Sequence, residues 1–403
     1  MTTRSKLVLA ATATAALALA APLATASQST AAPEPTPAPL YTSANAVPGK
    51  YIVTLEKTVA DPAAAAKKLG LKPTFVYSKA LNGFAVTMDA LQLTIVRNAF
   101  GVKSVEQDAK VQSVPIRSSA AGTRAPSSSW GLDRIDQKNL PLDNSFTTEG
   151  NGAGVTAYIL DSGIDYNHTE FGGPDNTRAT FGYDAVNDGR NGQDCQGHGT
   201  HVAGTVGGKT YGVARKVNLV SVRVLNCEGK GEWSGIIAGL DWVAKNAKQP
   251  AVMNGSLGGP KSDAVNLAAN AVTEAGVLPV IAAGNSSVDA CGISPASASK
   301  VLTVGATTKY DEETDFSNFG ECLSVYAPGQ DIFSAKLGGG SISLDGTSMA
   351  APHVAGVAAL YKAAHPKAEP EEIVEFLIDN STKDVVKSAA KSSPNRLLFT
   401  GGL

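Results

Sequence analysis

The chain has 403 residues, enough for one large domain and a smaller one. Its 34 Lys and Arg nearly cancel 36 Asp and Glu, leaving a formal net charge of −2, and no basic run stands out. That balance argues against a nucleic acid or an anionic membrane surface as partner.

In chain order, Arg4 and Lys6 precede an apolar stretch rich in Ala and Leu, and Ala24-Thr25-Ala26 offers a small-residue cleavage site. Residues 1–26 therefore read as a secretory signal peptide, with an apolar core too short and too rich in Ala and Thr for a retained anchor. No later stretch is long and apolar enough to span a bilayer. Residues 27–46 are rich in Ala, Pro, Ser and Thr and read as a disordered spacer. A small domain is expected over 47–116. Within it, 50–55, 75–77 and 83–88 read as strands, 62–69 and 91–99 as helices, and 102–114 as two short strands. That order is a split βαβ sandwich, and it holds no nucleophile constellation of its own. Residues 117–129 read as an exposed, easily cut linker.

A large domain follows over 130–403. Strands are predicted at 154–160, 217–225, 251–254, 277–283 (despite Pro279) and 301–306. Helices are predicted at 199–206, 235–246 and 265–275, after Ser348, and at 370–379. Such alternation predicts an α/β fold, a doubly wound and mostly parallel sheet with helices on both faces. Ligand sites in such sheets lie at the carboxyl ends of the strands.

Four residue groups carry candidate chemistry. Asp161 follows a predicted strand directly; alone it could be a turn residue or a helix cap. His198 lies in Gly197-His198-Gly199-Thr200-His201, at a helix start between glycines. His198 and His201 are three apart without the Glu of a zinc-binding helix, so His201 is expected to be packed or locally hydrogen-bonded. Ser348 stands in Gly346-Thr347-Ser348-Met349-Ala350-Ala351-Pro352-His353, before a run that is apolar all round and reads as a buried helix. Pro352 is expected in the first helical turn. The positive helix end favours negative charge beside the serine, although a serine there could equally be an N-cap. Asn285 follows the predicted strand 277–283, and its amide can donate to an oxyanion.

A serine nucleophile needs a base, and the imidazole needs a carboxylate to set its tautomer. Asp161, His198 and Ser348 supply these in the order Asp, His, Ser. An α/β-hydrolase places its acid and then its histidine after the serine, and no histidine follows Asp379 or Asp384. The order His, Asp, Ser would need a residue such as Asp241, which sits on an amphipathic helix. The four cysteines, Cys195, Cys227, Cys291 and Cys322, allow three disulfide pairings. The sequence-local pairing would close two loops of about thirty residues, each bridge stabilising by roughly 3–4 kcal/mol. Free thiols are the alternative; a four-cysteine metal site is disfavoured because no two cysteines are close in sequence.

Together these motifs resemble the subtilisin-like serine proteases, the subtilases, and within them the proteinase K-like, aqualysin-like branch. Trp130-Gly131-Leu132-Asp133-Arg134-Ile135-Asp136-Gln137 resembles that branch's mature N-terminus. The resemblance implies a secreted serine endopeptidase, made as a self-processing zymogen and acting on proteins and peptides as a monomer. It implies Asp161 as acid, His198 as base, Ser348 as nucleophile and Asn285 as oxyanion donor. It implies the pairs Cys195–Cys227 and Cys291–Cys322, and an inhibitory propeptide in the small domain, released by a cut between Arg117 and Pro126. Gly229, Lys230, Gly231, Ser256, Leu257 and Gly258 would sandwich the substrate as an added strand. Trp233 would wall the pocket four residues before the cut. Ala283, Gly284 and Gly258 would line an uncharged pocket for the residue before it, favouring apolar or aromatic side chains. No organic cofactor is implied, but a structural calcium is, on Asp133, Asp136, Gln137, Asp143 and Ser145, whose oxygen donors suit a hard cation. A second calcium position carries Ser324 where a carboxylate is expected, and a third, at Asp184 and Asp188, has Gly189 in place of an acid. A non-catalytic binding protein on this fold would usually lack a triad member, and none is missing. An esterase is disfavoured by the residue order.

Overall fold

The computed structural model describes residues 36–113, 129–390 and 392–403. The expected signal peptide, residues 27–35 of the spacer, 114–116 of the small domain and 117–128 of the linker lie outside them.

The N-terminal domain contains β1 (Leu40–Tyr41), β2 (Ala46–Leu55), α1 (Pro62–Lys68), β3 (Phe75–Tyr77), β4 (Gly83–Thr87), α2 (Ala90–Arg97) and β5 (Val102–Ser113). Strand β2 lies between β4 and β5, antiparallel to both, and β3 pairs with β4. Val53, Leu55, Phe84, Val86 and Val105 face Ala66 of α1 and Val96 of α2 in one small core. Both helices begin at an aspartate: Asp61 accepts from Ala64 N at 3.0 Å, and Asp89 forms a capping box with Gln92. Two expectations are corrected. Ordered structure begins before residue 47, because Leu40 pairs in parallel with Val105. The stretch expected to hold two strands is one strand of twelve residues, because its second half leaves its own sheet and pairs with the C-terminal domain.

The C-terminal domain contains α3 (Trp130–Ile135), β6 (Thr156–Asp161), β7 (Ala179–Asp184), α4 (His198–Gly207), β8 (Asn218–Arg223), β9 (Lys230–Glu232), α5 (Trp233–Asn246), β10 (Ala251–Gly255), β11 (Leu257–Pro260), α6 (Asp263–Glu274), β12 (Leu278–Ala282), β13 (Ile293–Ser294), β14 (Leu302–Thr307), β15 (Val325–Pro328), β16 (Ile332–Ala335), β17 (Ser341–Leu344), α7 (Thr347–Ala364), α8 (Pro370–Asn380), β18 (Thr382–Lys383) and β19 (Arg396–Leu397). The main sheet runs β18-β19-β15-β14-β12-β10-β6-β8-β7, with every neighbouring pair parallel except β18–β19. Strand β6 is central, with β8 on one side and β10 on the other. Its residues alternate between two cores. Ala157 and Ile159 face α4 and α7, whereas Tyr158 and Leu160 face α5 and α6. A strand covered on both faces is apolar where it is buried, as 157–160 are. Pro279 is tolerated inside β12 because pairing with β14 starts only at Val280. Strand β7 was not anticipated; it is the sheet's edge, half exposed, and lacks the apolar run of a central strand.

Helix α7 has no polar face and crosses the core beneath the sheet. Its Gly356 packs on Val213, and a Cβ there would lie 2.5 Å from the valine Cβ. Gly356→Val is expected to cost about 1–3 kcal/mol by overpacking, read as a lower melting midpoint in calorimetry; an unchanged midpoint would contradict this packing.

Candidate active site

Asp161 ends β6 and His198 starts α4, and neither side chain is exposed. The imidazole Nδ1 lies 2.8 and 2.9 Å from the two carboxylate oxygens of Asp161, and Ser162 N donates to Oδ1 at 2.7 Å. A carboxylate accepts only, so Nδ1 carries its proton and donates. Burial alone would push the His198 pKa down. The charge and hydrogen bond of Asp161, with a contribution from Asp194, more than offset this and raise it above the usual value. The helix start approaches the Asp161 turn closely because position 199 is glycine: a Cβ would sit 2.2 Å from Gly163 O. Gly197, with φ +105°, turns the chain into the helix. His198 Nε2 has no hydrogen-bond partner among the described residues.

Ser348 lies at the second position of α7, and its hydroxyl donates to Ser256 O at 3.3 Å. Pro352 is not in the first turn as expected but sixth in the helix. Lacking an N–H, it cannot bond the Ser348 carbonyl one turn back. Ser256 Oγ donates to that carbonyl instead, at 2.9 Å, and itself accepts from buried Asn254 at 2.9 Å. Asn285 follows β12. Its Oδ1 accepts from Thr347 N at 2.9 Å and Thr347 Oγ1 at 2.7 Å, which turns the amide nitrogen away from them. Gly284 N donates to the same threonine hydroxyl at 3.0 Å. Asn318, missed from the sequence, stitches this loop. It donates to Ala283 O and accepts from the N–H groups of Ser286 and Val288.

A cleft of about 1060 Å³ is lined by Gly258, Gly284 and Asn285, and by Lys110, Val111 and Gln112 of β5. That strand lies between β9 and β11, antiparallel to both. Val111 pairs with Gly231, Gln112 with Lys230 and Gly258, and Ser113 with Leu257. Ser113 N also donates to Gly229 O at 2.7 Å. Trp233 is buried at the start of α5, and its ring meets Val111 over Gly259. Carboxylates join the two domains. Asp108 accepts from Ser234 N at 3.0 Å in the first turn of α5, and Glu106 from Ala264 N at 3.3 Å in the first turn of α6. Both thus cap helices from another domain, and burial pushes both carboxyls up. Asp241, the alternative acid, instead accepts the N–H groups of Ser78, Lys79 and Ala80, so it belongs to the interface.

Both sequence-local disulfides are present. His201 bonds the carbonyls of Ile332 and Ile342 at 3.1 Å and is a packing residue. At Asp184 and Asp188, the Arg223 guanidinium stands between the carboxylates, at 3.1 and 2.6 Å. An internal cation therefore occupies the third calcium position considered above. Asp133 lies in α3, Asp136 caps its C-terminal end, and Gln137, Asp143 and Ser145 lie in the loop that follows. Asp133 accepts from Asp143 N and Asn144 N, Asp136 from Thr147 N, and Asp143 from Ser145 N and Oγ. Burial, with the neighbouring carboxylates adding to it, pushes Asp133 and Asp136 up. The donor chemistry suits a hard cation. No three acidic, histidine or cysteine groups gather at one metal position among the described residues, so a cation there would need Gln137, Ser145, carbonyl or water oxygens to complete its shell.

A model of the subtilase family matches residues 152–399, and one of peptidase inhibitor I9 matches residues 50–113. The extracellular serine proteinase of Thermus sp. (strain Rt41A) is 45% identical over 382 residues, covering 88% of this chain and 90% of that one. Alkaline serine exoprotease A of Vibrio alginolyticus is 46% identical over 325 residues, covering 81% of this chain; the chain spans 60% of that relative's length. The crystal structure of a cold adapted subtilisin-like serine proteinase superposes with a TM-score of 0.66 at 48% identity, covering 68% of this chain and 99% of that one. The chain belongs to the subtilase family. It is a subtilisin-like serine peptidase with an inhibitor domain at its N-terminal side.

The helix caps supplied by Asp108 and Glu106 give a measurable expectation. Asp108→Ala in the full chain is expected to cost about 1 kcal/mol and to speed amide hydrogen exchange at the start of α5. Unchanged protection at Ser234 would contradict the capping role.

Proposed function

We propose that Ser348 is the nucleophile of a self-processing endopeptidase, with His198 as its base and Asp161 as the acid that orients the imidazole. The observation that carries this reading is the fully buried Asp161–His198 pair at a strand end, with both oxygens within 2.9 Å of Nδ1. Holding the proton on Nδ1 leaves Nε2 as the acceptor for the serine proton. Ser348 Oγ then bonds the scissile carbonyl carbon, and the carbonyl oxygen takes the negative charge. The Ser348 N–H, one of the first-turn amides that find no acceptor inside a helix, and the Asn285 amide donate to that oxyanion. His198 returns its proton to the leaving amine, and water releases the acyl-enzyme by the reverse sequence. The Thr347 bonds to Asn285 Oδ1 support the donor role, since they leave the amide nitrogen to face elsewhere.

The substrate would lie where β5 now lies, paired through its main chain to β9 and β11. Residues 47–116 would act as inhibitor and folding assistant, and the proposed cut between Arg117 and Pro126 falls outside the described residues. An apolar or aromatic residue before the cut is favoured because Gly258, Ala283 and Gly284 bring no charge, and the amide of Asn318 is already engaged. Secretion is supported by the signal-peptide pattern, the two disulfides and the extracellular Thermus relative; no helix among the described residues could cross a membrane. The enzyme is read as a monomer. Asp133 and Asp136 at α3, with Gln137, Asp143 and Ser145 in the loop after it, are read as a calcium site that stabilises without entering the chemistry.

Ser348→Ala is expected to abolish casein hydrolysis and removal of the N-terminal domain; normal processing by that variant would sink the assignment. Asn285→Ala should lower kcat by about 10²–10³-fold with KM little changed, the size of effect known for this change in another family member. For calcium, the raised carboxyls at Asp133 and Asp136 mean that ionising them destabilises the fold above the ordinary carboxylate range. Added calcium is therefore expected to raise the melting temperature at neutral pH, and less so as pH falls through those raised values; no calcium effect at neutral pH would remove the site.

A further inference from the structure

Asp194 lies four residues before His198 and has no part in the steps above. It is buried and accepts five hydrogen bonds. Its Oδ1 takes Ser162 Oγ at 3.0 Å and the N–H groups of Gln196 and Gly197, both at 2.9 Å. Its Oδ2 takes Thr200 N at 3.0 Å and Thr200 Oγ1 at 2.6 Å. These donors are hydroxyls and backbone amides, and none is a cation.

They come from both sides of the Asp161–His198 contact. Ser162 directly follows Asp161, and its hydroxyl also accepts from Gly199 N at 3.0 Å. Gly197 and Thr200 bracket His198. The Thr200 hydroxyl accepts in turn from Asp165 N at 3.0 Å, and Asp194 N donates to Ile164 O at 3.3 Å. One carboxylate thus ties the turn after β6 to the first turn of α4 on either side of the imidazole. We propose that Asp194 is a positioning residue, which sets the separation of Asp161 and His198 by tying Ser162 to Gly197 and Thr200. The proposal rests on the roles assigned to Asp161 and His198.

A carboxylate that did no more than cap α4 would affect stability alone. This one also places a second buried negative charge near the imidazole. The ionisable groups facing His198 are Asp161 from β6, Asp194 from the loop before α4 and His201 from the same helix. His201 stays neutral, because burial first, and then the charge of His198, pull its pKa down to about 3. Asp161 and Asp194 both favour the imidazolium, so removing one should make His198 easier to deprotonate.

The test is Asp194→Asn, a near-isosteric change that removes the charge and turns one acceptor into an N–H facing donors. Rates on a chromogenic peptide are expressed per active site titrated with a serine-reactive phosphonate, so that only folded enzyme counts. The expected result is a fall in kcat of about 10²-fold with KM little changed, and an acid limb of kcat/KM moved to lower pH. Ser162→Ala and Thr200→Val each remove one tie and keep the charge; kcat should fall less, and the acid limb should stay in place. Loss of thermal stability with unchanged kcat per site and an unmoved acid limb would overturn the proposal. If Asp194→Asn gives no enzyme to titrate, the other two variants decide: unchanged kcat in both overturns it, and a fall in both supports it. A fully active Ser348→Ala chain would instead overturn the parent reading.

Discussion

An ionised carboxylate inside a protein is costly unless donors meet it, and Asp161 is wholly buried. The fold resolves that cost locally. The residue ends a central strand covered on both faces, so it leaves solvent by construction. Its oxygens then find the imidazole Nδ1 and the N–H of Ser162. Much of the architecture near the site serves that contact. Glycine at 199 lets α4 begin against the turn, and the Cys195–Cys227 bond anchors the loop before His198 to the chain just beyond β8. Arg223, buried at the end of β8, ties Asp184 and Asp188 to the carbonyl of Ser162.

Ser348 depends on a different constraint, the missing N–H of Pro352. Within a helix that absence usually leaves a carbonyl without a partner. Here the carbonyl belongs to Ser348, and Ser256 supplies the bond. The same segment, 256–258, also forms one side of the cleft through β11. The backbone of Ser348 and the strand that pairs with β5 are therefore joined through one hydroxyl.

What could be read from the chain were features with a strong local cause. The apolar run of β6 follows from burial on two faces, and the Gly-bracketed His198 from a tight helix start. Ser348 stood out because of the small residues around it. Contacts between residues distant in sequence could not be read. Asp241 sits on an amphipathic helix and looks solvated until the backbone of Ser78 to Ala80 covers it. Asp108 and Glu106 lie in a strand that looked like two short ones, because half of its partners are in the other domain. Arg223 alternates inward on β8, but period alone does not say that it meets Asp188. Local propensity places Pro352 in the first turn; it sits deeper because the bond it denies Ser348 O is supplied by Ser256, 92 residues from that serine.

The clamp on β5 has a consequence for timing. Among the described residues, every backbone bond it makes to β9 and β11 lies at or before Ser113. A cut farther along the chain breaks none of them. After the proposed cut, the severed segment would keep every one of those bonds. Release would then need loss of those strand pairings, so it would lag the proposed cut.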